Sequence, residues 1–176
     1  MKKVSHKNIV IDIETSGLDP IESRILAIGI VTLSDGEKIE IFMDQDEKKI
    51  LSDFWEFIRK QRTENTRLIG YNIDGFDWNF LKIRSLKHHF KVNYFDRFNE
   101  RVDLMRILSP VNQTWKRLDD WCDFLDIEKK SLLTGADMTS LDLNNPKHRT
   151  MVIEHLKDDL EKTKKLFYRM LDCGLL

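Results

Sequence analysis

Asp12 and Glu14 sit two residues apart in the run Ile9-Val10-Ile11-Asp12-Ile13-Glu14. Successive side chains of a strand alternate between faces, so both carboxylates share one face and Ile11 and Ile13 share the other. An acid pair on so apolar a strand is costly unless something compensates the charge. Hard divalent cations such as Mg2+ or Mn2+ do so directly through carboxylate oxygens. A plainly solvated face is the alternative. A second acid group lies in the stretch YNIDGFD, residues 71–77. Gly75 allows a tight entry into a helix, and Asp77 falls in the first turn, where the helix dipole favours a carboxylate. Asp74 reads as the N-cap of the same helix. The third group is EHLKDD, residues 154–159. On a helical wheel, the stripe of Val152, Leu156, Leu160, Phe167 and Met170 has Asp159 at its edge. Asp158 and Glu154 fall on the far, solvated side. His155, four residues before Asp159, lies on the same flank and overhangs the same place.

The elements that must position these groups are legible from period and punctuation. The first strand ends at Thr15-Ser16-Gly17, which supplies turn chemistry. A second runs from Ile25 to Leu33, Ser34-Asp35-Gly36 reads as a hairpin turn, and a third runs from Lys38 to Met43. Ile50, Phe54, Phe57 and Ile58 have helical spacing, with Ser52 or Asp53 as the cap. Arg67 to Tyr71 is a short strand and Gly75 to Leu86 a helix. Val102 to Leu108 is a short apolar segment, and Leu118, Trp121, Cys122 and Leu125 form another helical stripe. Asn145-Pro146 starts a last helix that stops near Cys173-Gly174. The polar stretch from Thr134 to Lys147 reads as a loop. The order β-β-β-α-β-α followed by helices predicts a mixed sheet with helices packed against it.

The chain has 176 residues, and neither an internal repeat nor a Ser/Gly linker divides it, so residues 1–176 read as one domain. Hydrophobic residues at 41% and charged residues at 34% exclude wholesale disorder. Lys and Arg number 29 against 30 Asp and Glu, a net charge of −1. Without a basic field, any polyanion must be held by a local patch or through metal ions. Cys122 and Cys173 stand far apart, which argues against a disulfide framework and suits a reducing compartment, so a cytoplasmic location is expected. No apolar run approaches the ~20 residues of a membrane span, and the N-terminal apolar stretch, short and broken by acids, does not read as a signal peptide.

Taken together, Asp12-Ile13-Glu14-Thr15-Ser16-Gly17-Leu18, then Asn72-x3-Phe76-Asp77, then His155-x3-Asp159-x3-Thr163 resemble the three exonuclease motifs of the DEDD superfamily. YNIDGFDWNFL looks most like the exonuclease domain of family B DNA polymerases and its stand-alone relatives. The segment Arg117-Leu118-Asp119-Asp120-Trp121 also looks like one those relatives carry. The resemblance spans residues 9 to about 168 and implies a ribonuclease H-like fold: an α/β, mixed five-stranded sheet, an antiparallel meander followed by parallel strands, flanked by helices. It implies a 3′→5′ exonuclease that uses two Mg2+ or Mn2+ ions. Asp12, Glu14, Asp77 and Asp159 would be the metal ligands, and His155 would join them as a catalytic residue. Thr15, Leu18, Asn72 and Phe76 would contact the substrate, a single-stranded nucleic acid 3′ end. The polymerase-like branch usually has Tyr four residues before the last Asp, where this chain has His155. That His is able to act as a general base near neutral pH, or to orient water as the family Tyr is thought to do. A nuclease fold that binds without cutting and a structure-specific endonuclease are the alternatives.

Substrate grip is less specific in the sequence. The basic tracts at residues 59–62 and 87–91 could follow phosphates. Trp78 and Trp115 read as candidate stacking residues, whereas Trp121 lies on an apolar stripe and reads as core.

Overall fold

The computed structural model describes residues 6–33, 36–61, 63, 65–92, 101–109, 115–131, 133, 137 and 141–176. Three strands open the chain: β1 (Lys7–Thr15), β2 (Ile25–Leu33) and β3 (Lys38–Met43). Helix α1 (Glu47–Gln61), strand β4 (Thr66–Gly70) and helix α2 (Asp77–Lys87) follow. Then come β5 (Arg101–Asp103), α3 (Leu104–Leu108), α4 (Leu118–Phe124) and the long α5 (Pro146–Asp172). The sheet order is β3-β2-β1-β4-β5. β1 and β3 both pair antiparallel with β2, while β1, β4 and β5 run parallel. This is the expected mixed five-stranded sheet, with β5 carved from the front of the apolar segment at 102–108 and α3 from its remainder. The Ser34-Asp35 part of the hairpin turn and residues 134–136 and 138–140 of the expected loop lie outside the described residues.

The alternation of β1 divides the core. Ile9, Ile11 and Ile13 pack with Phe54, Ile58, Trp78 and Leu81 of α1 and α2 on one face. Val10 packs with Val152, Leu156 and Leu160 of α5 on the other. The face that carries Asp12 and Glu14 is therefore the α5 face. Gly29 of β2 stands directly opposite Asp12 in the antiparallel register. A Cβ at Gly29 would lie 2.7 Å from Leu160 Cδ1 and 2.8 Å from Leu156 Cγ. The glycine is what lets α5 settle this close to the strand pair.

Helix ends correct two expectations. α1 begins at Glu47, before Ser52 and Asp53, because Asp46 Oδ1 accepts from the Lys48 N–H at 2.9 Å and supplies the cap. Asp74 is not the N-cap of α2; that position is Phe76, and no side chain caps it. The Asp74 carboxylate instead pairs with Arg101 Nε at 2.7 Å and Arg106 Nη1 at 2.9 Å. Two long-range guanidinium partners outcompete a local backbone donor for the same oxygens. At α5 the expectation holds: Asn145 accepts from the Lys147 N–H at 2.9 Å and Pro146 opens the helix.

Candidate active site

The parallel pairing of β1 with β4 ends at Val10↔Ile69, so residues 11–15 of β1 run on beyond the paired stretch. The Ile13 N–H left over there is buried and donates to Asp77 Oδ1 at 3.2 Å. Asp77 thus continues the ladder where β4 stops, and this brings the second acid motif onto the first. On the other edge of β1 the register with β2 slips between Glu14 and Thr15. Such a bulge bends the strand and re-aims its side chains.

The segment between β4 and α2 is held from below. Asn72 adopts φ 62°, a left-handed conformation that asparagine tolerates. Its N–H donates to Asp103 Oδ1 at 3.0 Å, and the Asp74 N–H donates to Asp103 Oδ2 at 3.1 Å. The Asp103 carboxylate also caps α3 through Met105 and Arg106. Gly75 is needed here for space, since a Cβ would lie 2.2 Å from Asn72 Oδ1.

α5 supplies the remaining groups. His155 is buried; its Nε2 stands 3.7 Å from Glu14 Oε1 and 3.8 Å from Asp159 Oδ2, while Nδ1 faces Ser131 Oγ at 3.2 Å. Glu154 is exposed, as the wheel implies. Asp158 is not on a solvated side: it is only 5% exposed. It accepts from the backbone N–H groups of Lys130 and Ser131 at 2.9 and 3.2 Å. A wheel reports which face a residue occupies, and here a segment from elsewhere in the chain covers that face.

One pocket of about 270 Å³ is lined by Asp12, Glu14, Asp77, His155 and Asp159 together with Thr15, Leu18, Asn72 and Phe76. The four expected metal ligands, His155 and the four expected substrate contacts are therefore brought to one place, whereas Trp78, Trp115 and the basic tracts do not line it. Leu18, 84% exposed, stands at the rim. The Thr15 hydroxyl donates to the Gly17 carbonyl at 2.7 Å and fastens the turn that presents it. Trp78 is corrected: it is buried, 6.1 Å from Trp55 and with Arg101 over its ring at 5.0 Å, and so has no face for a base. Trp115 is 53% exposed.

Two features of the site were missed by sequence reasoning. Lys162 is buried in the pocket wall, with Asp119 beside it. The signal was present, because Lys162 stands three residues after Asp159 and seven after His155 and so shares their face of the helix. The other is Glu47, a buried acid that accepts from the Ile25 N–H, from Arg84 by two nitrogens and from His88. Arg84 also donates to the Pro20 carbonyl at 3.0 Å. This brace holds the 16–24 loop, α1 and α2 together behind the pocket. Burial would raise the Glu47 pKa, but the bonds from Arg84, Ile25 and His88 outweigh it and hold the carboxyl below its ordinary value. His88 is thereby drawn out of the basic tract that was read as a phosphate track.

The electrostatics of the pocket are those of a site short of cations. Burial, then repulsion from Asp77, Asp159 and Glu14, pushes Asp12 well above the usual carboxylate range; Lys162 opposes this. Glu14 is raised in the same way by burial, Asp159 and Asp77. Burial raises Asp77 to about 7 in spite of the backbone N–H groups it accepts from. Among the described residues no three acid, His or Cys side chains form a finished cage for an ion. The donor set nonetheless fits a hard divalent cation: all-oxygen, anionic and crowded, so that an ion drawing the carboxylates together would relieve their mutual repulsion.

Residues 9–171 match the RNase_H superfamily model RNase_H_2, and the chain belongs to that superfamily. An uncharacterized protein of Methanocaldococcus jannaschii is 39% identical over 95% of this chain and 97% of its own length. The family B DNA polymerase from Pyrobaculum calidifontis superimposes with a TM-score of 0.80 at 21% identity. The match covers 97% of this chain and 25% of that polymerase, so the chain corresponds to one quarter of the larger protein. E. coli Exonuclease I, solved in complex with a dT13 oligonucleotide, superimposes with a TM-score of 0.64 at 13% identity, over 94% of this chain and 41% of that one. The chain shares its fold with both solved structures. Among the described residues no helix is long and apolar enough to cross a membrane.

Proposed function

We propose that this chain is a metal-dependent 3′→5′ exonuclease that hydrolyses phosphodiester bonds of single-stranded DNA or RNA and releases nucleoside 5′-monophosphates. The observation that carries the reading is the convergence of Asp12, Glu14, Asp77, Asp159 and His155, from three separate stretches of sequence, on one pocket. The likeness in fold to an exonuclease solved with an oligonucleotide supports the same reading.

Asp12, Glu14, Asp77 and Asp159 would hold two Mg2+ or Mn2+ ions. Bound there, such ions lower the pKa of a water, neutralise the phosphate and stabilise the leaving oxygen. The chain's own residues do the rest. Asp77 is fixed through Oδ1 by the Ile13 N–H and lines the pocket. His155 stands within 4 Å of both Glu14 and Asp159 and would orient the attacking water or take its proton. Water oxygen would bond to phosphorus as the bond from phosphorus to the 3′ oxygen breaks, leaving the phosphate on the departing nucleotide. Leu18 at the rim and Phe76 and Asn72 in the wall would hold the terminal nucleotide.

The test is to incubate 5′-labelled single-stranded DNA and RNA oligonucleotides with the protein and Mg2+ or Mn2+. Stepwise shortening from the 3′ end is expected on at least one of the two. Internal cuts would indicate an endonuclease, and firm binding without cleavage would indicate a binding module.

A further inference from the structure

Lys162 carries a charge that the reaction above does not use. It is 2% exposed, and its Nζ stands 2.6 Å from Asp159 Oδ1, 2.7 Å from Asp119 Oδ1 and 3.3 Å from Asp158 Oδ2. Asp119 comes from the first turn of α4. Asp158 is itself committed to the backbone of Lys130 and Ser131. The ammonium is therefore fixed from three directions, and unlike a surface lysine it has nowhere to swing. An ammonium is tolerated at this depth only when it is fully paired, and here the pairing is complete.

The position of that charge matters because Lys162 lines the acid pocket. One oxygen of Asp159 is already turned to the lysine, while the other faces His155. A divalent ion drawn to Asp159 would have to share the carboxylate with a cation that cannot leave, and like-charge repulsion in a partly desolvated pocket is stronger than in water. Among the described residues no cation is ion-paired with Asp12 or Asp77, and Lys162 reaches Asp12 only through space, so the Asp12–Asp77 side is the more open to an ion.

We propose that Lys162 is a resident cation of the pocket, a positioning residue that fixes Asp159 and holds off a second divalent ion in the protein free of substrate. The proposal rests on the reading of the pocket as a metal site. It predicts that the free chain takes up one ion tightly and that the second place is electrostatically filled by the lysine.

The experiment is calorimetric titration of the full chain with MnCl2 in the absence of nucleic acid, for wild type, Lys162→Met and Lys162→Arg. Wild type and Lys162→Arg should bind one ion per chain. Lys162→Met should bind a second ion, or bind Mn2+ about tenfold tighter, a change equal to one logarithmic unit of ion coupling. If Lys162→Met does not fold, Lys162→Met/Asp158→Asn removes the buried acid that the first change leaves unpaired and is read in the same way. Two ions in wild type, or Mn2+ uptake that Lys162→Met leaves unaltered or weakens, would overturn the inference alone. A wild-type chain that takes up no Mn2+ would overturn the metal reading and this inference with it.

Discussion

Asp12 and Gly29 face each other across the β1–β2 ladder, and the missing side chain on one is what places partners around the other. Leu156 and Leu160 of α5 occupy the space above Gly29 and flank Asp159 in sequence. Gly29→Val should push α5 outward and carry Asp159 away from Asp12. Overpacking of this kind costs about 1–3 kcal/mol, and the loss of nuclease activity should exceed what the loss of folded protein explains. Thermal unfolding and rate measured on the same samples check this.

The adjacent aspartates have opposite duties. Asp159→Asn keeps the shape of α5 but removes a pocket charge and the nearest partner of Lys162, so the rate should fall by orders of magnitude, far more than the accompanying drop in melting temperature explains. Asp158→Ala removes the acceptor for two backbone N–H groups and one partner of Lys162. Leaving such buried groups unpaired costs about 1–3 kcal/mol, so this variant should melt early yet retain measurable cleavage. The reverse result on rate, with Asp158 essential and Asp159 dispensable, would show that the register of the third motif is wrong by one residue.

Much of this arrangement could be read from the sequence because it depends on local period. The alternation Ile11-Asp12-Ile13-Glu14 and the spacing from His155 to Asp159 each state which face a group occupies, and the structure follows them. What could not be read depends on partners remote in the chain. Asp158 is buried by residues 130–131, Asp74 is claimed by Arg101 and Arg106, and Trp78 is covered by Trp55 and Arg101. For Asp158 and Trp78 the local reading had the helix right and missed what arrives on top of it; for Asp74 it also set the start of α2 too early. Lys162 is the intermediate case, visible as a helical neighbour of Asp159 but overlooked because a lysine on a helix is ordinarily solvated.

Stability of the metal-free protein should depend on pH with a definite sign. Asp12, Glu14 and Asp77 have folded pKa values above the unfolded ones of about 4, with Asp77 near 7. Between those limits the folded state holds more protons than the unfolded state, so stability falls as pH rises. The slope is on the order of 1 kcal/mol per pH unit for each proton so held. Glu47, with its lowered pKa, acts in the opposite sense and only below the unfolded value near 4, as its bonds to Arg84 are lost. Melting temperatures measured in chelator should therefore decline from pH 5 to pH 8. Added Mn2+ should flatten the decline, because the ion takes over the proton's role. A melting temperature that rises through this range in chelator would contradict the assigned charge crowding.

His155 separates two mechanisms. His155→Ala should cost about 10²–10⁴-fold in rate, the usual worth of a positioned proton acceptor. His155→Tyr should retain much of the activity if the residue orients water, since a phenol with a pKa near 10 is a poor base at neutral pH but a capable hydrogen-bonding partner. We expect the orienting role, because the four-residue spacing to Asp159 is that of the tyrosine branch. A folded, metal-binding His155→Tyr protein as inactive as His155→Ala would assign the residue as the base.

The measurement that bears most directly on the central claim is product analysis by mass spectrometry after digestion of a single-stranded oligonucleotide in water enriched in oxygen-18. The account predicts nucleoside 5′-monophosphates, each carrying one heavy oxygen on phosphorus per hydrolysis, formed only with Mg2+ or Mn2+ and not by Asp12→Asn. Undiminished release of product in excess chelator, products bearing 3′-phosphates, or full turnover by Asp12→Asn would contradict it.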